Sequence, residues 1–279
     1  MARIIGALAS SHIPSLGTAL SAGRQQEPCC KPFFDGCLPV LRWLEEEQPD
    51  VAVVLYNDHG LNFFLDNLPT FAVGAATEYG CLDEGWGKPA LPPFNGYPEL
   101  SWHLIDSLVE QEFDIAMCQQ LAVDHAFINP LRLFWPGENP PAIRTVPVAI
   151  NTVQFPLPRP ARCYALGKAI GKAVADWPTD EKVVVIGSGG LSHQLDGERA
   201  GLINKAFDEM CMEALLHDPA KLARLSSRDL LREAGAQGAE LIMWLAARGA
   251  LHGTVSKIHS SYHIPIANTS AGLLALANR

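Results

Sequence analysis

The sequence predicts an α/β fold: a single domain, residues 1–279, built on a central, mostly parallel β-sheet with helices on both faces. Short apolar runs rich in Val and Ile alternate along the chain with longer segments of helical periodicity, which is the pattern of βαβ units. The runs show no strict alternation of polar and apolar residues, as expected for strands buried on both faces of a sheet. Residues expected to share one site come from both ends of the chain, which favours one domain over two.

Six strands are predicted where these apolar runs occur. In chain order they are Arg3–Ala9, Val51–Tyr56, Thr70–Gly74, Ile115–Gln119, Thr145–Ile150 and Lys182–Ile186. Apolar residues at helical spacing predict helices over Pro32–Glu47, Glu99–Gln111, Ala165–Asp176, Gly201–Leu216, Pro219–Leu225, Arg228–Glu233 and Gln237–Ala247. Proline-rich stretches at 88–93, 135–141 and 155–160 are predicted to be surface loops rather than domain linkers.

The composition allows a large core and argues against polyanionic partners. Hydrophobic residues make up 48% of the chain and charged residues 18%, while the formal net charge is −9. An acidic chain of this kind is not expected to bind nucleic acid or an anionic membrane, although a site can still accept a small anion. We expect no signal peptide, because the first residues form no extended apolar core, and no apolar run approaches the roughly 18 residues of a membrane span. Seven cysteines, an odd number, fit a reducing compartment and predict a cytoplasmic protein.

Three of the predicted strands lead to a histidine. Strand 3–9 precedes His12, strand 51–56 precedes His59, and strand 182–186 leads through a glycine turn to His193. In open α/β sheets ligands bind just beyond the carboxyl ends of the strands, so these imidazoles are expected to meet there. Glu240 lies among apolar neighbours on the helix predicted last, and a buried carboxylate needs a partner such as a metal ion. Together they predict a metal site with a spare acid–base group.

Two histidines and one carboxylate form the facial triad typical of non-heme Fe(II), which leaves adjacent coordination positions open. Zinc accepts the same donors, so the ligand types alone do not select the metal. Asp58, next to His59, has two interpretations that the sequence leaves open. It is either a hydrogen-bond partner that orients an imidazole ligand or a turn residue.

The glycine-rich string from Gly187 to Gln194 follows a strand but does not match a dinucleotide-binding fingerprint, because Ser192 occupies the third glycine position. We interpret it as a tight turn that lets the backbone approach the site and directs His193 inward. A histidine there is suited to proton transfer near neutral pH. His125, which follows Asp124, is predicted to line the pocket and contact substrate rather than bind the metal.

These residues together resemble the class III extradiol ring-cleaving dioxygenases, the family of the protocatechuate 4,5-dioxygenase β-subunit. The resemblance runs nearly end to end. It rests on the segments Ser11–Pro14, Tyr56–His59, Asp83–Gly87, Val123–His125, Gly189–Gln194, Arg199–Lys205, Glu240 with Met243–Leu245, and Tyr262–Pro265.

The resemblance implies Fe(II) bound by His12, His59 and Glu240, with His193 as the acid–base catalyst and His125 assisting at the substrate. It implies an enzyme that inserts both atoms of O2 into a carboxylated catechol-type ring with meta cleavage, in the catabolism of lignin-derived aromatics. Protocatechuate, gallate and 3-O-methylgallate are the expected substrates. The fold implied is that of the extradiol class III enzymes, in agreement with the strand and helix pattern.

Two departures from the family pattern concern the substrate. Ala126 follows His125 where glycine is expected, and Ala267 precedes Asn268 and Thr269 where the family resembles Ser-Asn-Thr. Residues 267–269 are predicted to contact the substrate, and the missing hydroxyl would change a contact to a ring substituent. Relatives carry a small helical α-subunit, or a fused equivalent, over the site. Because the sequence ends at Arg279 without one, we expect a homodimer or a separate α-subunit.

Other functions remain open at this stage. The same enzyme type could cleave an aminophenol or a substituted catechol. A fold alone does not fix function, so a non-catalytic binding protein is also an alternative. A zinc hydrolase would use the same ligands, with a bound water as nucleophile. The presence of three ligands together with His193 favours the dioxygenase.

Overall fold

The computed structural model describes residues 1–85, 91–137, 140–265 and 268–278. Its strands are β1 (Arg3–Ser10), β2 (Val51–Tyr56), β3 (Phe71–Gly74), β4 (Glu78–Tyr79), β5 (Phe94–Asn95), β6 (Ala116–Cys118), β7 (Arg144–Ile150), β8 (Lys182–Ser188), β9 (Val255–His263) and β10 (Ala271–Asn278). Its helices are α1 (Pro14–Ser21), α2 (Lys31–Glu47), α3 (Pro98–Glu110), α4 (His125–Phe134), α5 (Pro160–Asp176), α6 (Lys205–His217), α7 (Pro219–Ala223), α8 (Ser227–Ala234) and α9 (Leu241–Gly249), the last preceded by a 3₁₀ turn, Gln237–Glu240.

The predicted α/β fold is confirmed. Eight strands form one sheet in the order β6-β3-β7-β2-β8-β1-β10-β9, and the central strands β7, β2, β8 and β1 run parallel to one another. Helices α3, α5 and α9 cover one face, while α2 and α4 cover the other. The Val- and Ile-rich strands β2 and β8 are almost completely buried, which explains why their sequences do not alternate.

The C-terminal strands β9 and β10 were not predicted from the sequence. Strand β10 pairs antiparallel with β1 on one side and with β9 on the other. Its sequence, Ala-Gly-Leu-Leu-Ala-Leu-Ala-Asn, is poor in β-branched residues, so its local preference for a strand is weak. Burial in the folded protein makes this segment a strand. Its apolar residues pack against neighbouring strands and helices, and Leu273, Leu274, Ala275 and Leu276 are all buried.

Helix boundaries differ from the predictions where capping groups decide them. The helix expected from Gly201 begins at Lys205, because the Asn204 side chain accepts a hydrogen bond from Phe207 N and caps it. Helix α4 was not predicted; it begins at His125, capped by Asp124, and contains Pro130. The predicted loop 155–160 ends where α5 begins, whereas parts of 88–93 and 135–141 lie outside the described residues. No helix in the described ranges combines the length and the hydropathy that a bilayer span requires.

The sheet brings the predicted residues to one edge, because β1, β2 and β8 are parallel neighbours and all end on the same side. The backbone after β8 passes very close to Glu240. A Cβ atom at Gly189 would lie 2.6 Å from the Glu240 carbonyl oxygen and 2.9 Å from its Cβ. Glycine is therefore required at 189 for this close approach, as the sequence interpretation of the turn predicted.

Candidate active site

A cavity of about 640 Å³ opens at this carboxyl edge of the sheet. Its lining includes every residue that the sequence assigned to the metal or to acid–base chemistry: His12, His59, His125, His193 and Glu240. Asn268 and Thr269, predicted to contact the substrate, also line it, whereas Ala267 lies outside the described residues. Residues separated by most of the chain thus share one cavity.

His12 is buried, and its orientation is fixed at the backbone and at the ring. Asn129 Nδ2 donates to the His12 carbonyl oxygen at 2.9 Å. The ring Nδ1 lies 2.9 Å from Ser188 Oγ, whose own proton is donated to the Ala126 carbonyl. His12 Nδ1 must therefore carry the proton in this contact, so a neutral ring presents the lone pair of Nε2. That atom lies 3.3 Å from Glu240 Oε2.

His59 is held by Asp124, a fully buried carboxylate. Asp124 Oδ2 accepts hydrogen bonds from His59 Nδ1 at 2.9 Å and from the His59 backbone N–H at 2.7 Å. Burial lowers the pKa of His59, but the hydrogen bond and charge of Asp124 outweigh it and raise that pKa to about 9. The opposite ring nitrogen, Nε2, lies 3.9 Å from Glu240 Oε1 and 3.1 Å from Asn57 Nδ2.

Glu240 ends the 3₁₀ turn before α9, and its side chain is buried. Burial raises the pKa of this carboxyl group, but the positive charge and the hydrogen bond that His12 supplies when both of its ring nitrogens carry protons lower it to about 2. An ionised carboxylate facing two imidazole nitrogens is stable only if protons or a cation lie between them. Two Nε2 atoms and one carboxylate converging in this way are a donor set that a divalent transition metal accepts, so the residues present fit Fe(II).

His125 lies against both of these imidazoles. Its ring stacks on His59 with the centroids 4.3 Å apart and contacts His12 edge-on at 5.0 Å. Glu84 accepts from His125 Nδ1 at 2.7 Å and from its backbone N–H at 3.1 Å, which fixes the ring orientation. One nitrogen of each of the three histidines lies within 4.8 Å of the others, so a three-histidine metal set is an alternative to the set with Glu240.

His193 also lines the cavity, in the turn after β8. Its backbone N–H donates to the Ala234 carbonyl at 2.7 Å, and it pairs with Thr269 in an antiparallel bridge. In the described part of the chain no side chain hydrogen-bonds to its ring. Burial lowers the pKa of His193, which keeps the imidazole neutral and able to accept a proton near pH 7.

The structure supports the interpretation of Asp58 as a turn residue. It corrects the alternative, in which Asp58 is a hydrogen-bond partner that orients an imidazole. Asp58 Oδ2 accepts from the backbone N–H groups of Gly60, Leu61 and Asn62, each at 3.1 Å, and so orders the loop after β2. The carboxylate that orients His59 is Asp124. Sequence reasoning missed Asp124 and Glu84 as orienting residues. The local signal of Asp124 was an adjacent histidine, which Asp58 showed equally well, and Glu84 has no histidine near it in the sequence.

We expect Asp124→Asn to lower the metal affinity by about 10- to 100-fold, the usual effect of losing a partner that orients a ligand. The asparagine oxygen can still accept one hydrogen bond from His59, but the negative charge that raises the basicity of the ring is lost. Competition with a chelator of known affinity measures the change. Asp58→Asn is the matched control, because its carboxylate contacts the loop and not the ring. An equal loss in both variants would contradict an orienting role specific to Asp124.

Comparison with known proteins gives one family and several relatives. The family model described as the catalytic LigB subunit of aromatic ring-opening dioxygenase matches residues 6–273. Gallate dioxygenase from Pseudomonas putida is 36% identical over 71% of this chain, and the alignment spans 58% of that enzyme. The 2,3-dihydroxyphenylpropionate/2,3-dihydroxicinnamic acid 1,2-dioxygenase from Photorhabdus laumondii is 30% identical over 82% of the chain and 68% of its own length.

A solved structure supports the fold independently. The uncharacterized protein JW3007 from Escherichia coli K12 superposes with a TM-score of 0.58, covering 97% of this chain and 99% of that one. The sequence identity is 14%, so the likeness concerns the architecture alone.

Proposed function

Because the chain belongs to the family of catalytic LigB subunits of aromatic ring-opening dioxygenases, we propose that it is an Fe(II)-dependent extradiol dioxygenase. The observation that carries the proposal is the convergence of two oriented imidazoles and a buried carboxylate in one cavity, which the neutral His193 also lines. Held by His12, His59 and Glu240, Fe(II) would supply adjacent coordination positions for a ring diol and O2.

Protein residues orient the metal ligands, transfer the proton and contact the substrate. Asp124 and Ser188 hold the two imidazoles by their Nδ1 atoms, so that both Nε2 atoms stay directed at the carboxylate. The neutral His193 ring can take a proton from a substrate hydroxyl and return it later in the reaction. His125, anchored by Glu84, would contact the substrate beside the metal ligands.

The proposed substrate is a carboxylated catechol-type ring such as protocatechuate, gallate or 3-O-methylgallate. The likeness to gallate dioxygenase supports this class, and Asn268 and Thr269 offer polar contacts in the cavity. An alternative is a diol with a longer side chain, as in the names of the dihydroxyphenylpropionate enzymes. Apolar residues of the cavity wall, such as Val153 and Phe155, suit the ring or such a chain.

We also propose that a partner covers the cavity mouth: a small helical α-subunit or a second copy of the chain. Val153, Phe155 and Leu195 line the cavity and are more than half exposed. Large apolar side chains around an opening are typical of a surface that another chain covers.

The proposal is tested by loading the protein with Fe(II) under anaerobic conditions and measuring O2 uptake with the three carboxylated rings and with 2,3-dihydroxyphenylpropionate. We expect one O2 consumed per ring opened, and both atoms of ¹⁸O2 in the product. Zn(II)-loaded protein is the control and should consume no O2. If protein with verified iron content consumes no O2 with any of the rings, or if the rings open without O2, the proposal is wrong.

A further inference from the structure

Another buried carboxylate, outside the metal site, contacts the turn that carries His193. Asp208 is in the first turn of α6 and is 1% exposed. In the described part of the chain no ion pair involves its carboxylate, and burial raises its pKa. A buried carboxylate without a cation is expensive unless several donors satisfy it, so the donors that this one has are informative.

The two oxygens of Asp208 bind two different segments of the chain. Oδ1 accepts from the Ser192 backbone N–H at 2.9 Å and from the Ser192 hydroxyl at 2.8 Å. Oδ2 accepts from the Ser270 hydroxyl at 2.8 Å and from the Tyr262 hydroxyl at 2.9 Å. Four hydrogen bonds from three residues thus converge on this one carboxyl group and join the segments.

The segments joined in this way carry two residues of the cavity. Ser192 immediately precedes His193, and Ser270 immediately follows Thr269. The β-bridge between His193 and Thr269 is therefore adjacent to the hydrogen bonds that Asp208 accepts. The Ser270 backbone N–H also donates to the Ser192 carbonyl at 3.0 Å. A shift of the Asp208 carboxylate would therefore move His193 and Thr269 together.

We propose that Asp208 is a positioning residue for His193, acting through Ser192 and Ser270. The inference rests on the proposed function, since it concerns the geometry of the acid–base group. Asp208 itself does not line the cavity. Its contribution is to hold the imidazole at a fixed distance from the substrate, and a displacement of about 1 Å at a reacting group can lower a rate about 100-fold.

Two substitutions distinguish the hydrogen bonds of Asp208 from its negative charge. In Asp208→Asn the amide oxygen can still accept from Ser192, while the amide NH2 can donate to the hydroxyl groups of Ser270 and Tyr262, which are able to rotate. In Asp208→Ala all four hydrogen bonds are lost. Glu209→Ala is the control on the next residue of the same helix, because Glu209 is exposed and its ion pair within the described residues is with Lys205.

The first readout does not depend on turnover. Hydrogen–deuterium exchange of the metal-free protein should be faster in the peptide around 189–195 for Asp208→Ala, with Asp208→Asn and Glu209→Ala close to the wild type. Unchanged exchange in Asp208→Ala would overturn the proposal. This measurement requires no turnover, so its result can be interpreted even if the wild type opens no ring. A failure of the proposed function can therefore be distinguished from a failure of this proposal.

The second readout is a double-mutant cycle in the iron-loaded enzyme with verified metal content. We expect Asp208→Ala to lower kcat by about 10- to 100-fold in the wild-type background. The same change should have little further effect in a His193→Ala background, because the residue it positions is gone. An equal loss in both backgrounds, or no loss in the first, would overturn the positioning role.

Discussion

Glu240→Ala is expected to abolish iron binding and ring cleavage together. Its carboxylate is the negative charge at the centre of the site, 3.3 Å from His12 Nε2 and 3.9 Å from His59 Nε2. Removing a ligand costs more than removing a group that only orients one, so the affinity for Fe(II) should fall by more than about 100-fold. Metal content after anaerobic loading and desalting measures this, with O2 uptake as the second readout.

The matched comparison is His125→Gln, because His125 and Glu240 belong to the two competing ligand sets. If Glu240 is a ligand, the glutamine variant keeps its iron and shows a raised KM, since His125 then contacts substrate. If the three-histidine set holds the metal, the result reverses: Glu240→Ala keeps the metal and His125→Gln loses it. That reversal would remove Glu240 from the ligand set.

The sequence predicted the site through the strand ends. His12, His59 and His193 follow apolar runs that are typical of buried parallel strands, and the geometry of such a sheet brings their ends together. Glu240 was predicted from a carboxylate among apolar neighbours. Each of these inferences starts from a local sequence pattern, and the architecture of the sheet then determines where the side chain lies. All four residues line the cavity.

The orienting groups could not be predicted, because their partners are distant in sequence and their local contexts are ordinary. Asp124 is 65 residues from His59, and Ser188 is 176 residues from His12. Asp58, adjacent to His59, offered the same local signal as Asp124 but points into its own loop. The choice between them depends on the path of the chain after β2, which no short pattern encodes. Strand β10 was missed for a related reason: burial, not its Leu- and Ala-rich sequence, makes it a strand.

The second large effect is expected at His193. His193→Ala should lower kcat by about 10²- to 10⁴-fold, the usual contribution of a general acid–base group, while iron content stays at the wild-type level. The reason is positional: the ring lines the cavity but is not one of the three imidazoles whose nitrogens lie within 4.8 Å of one another. Single-turnover kinetics with a bound substrate separate this loss from any change in substrate binding.

The pH dependence provides the test that a purely structural role would not pass. The reaction needs His193 neutral at the start, and burial lowers its pKa, so the wild-type kcat should be maintained at neutral pH and fall only as the pH drops through that lowered pKa. In His193→Ala this acidic limb should disappear, and added imidazole should restore part of the turnover. If the limb persists unchanged in the variant, another group accepts the proton and His193 is not the acid–base catalyst.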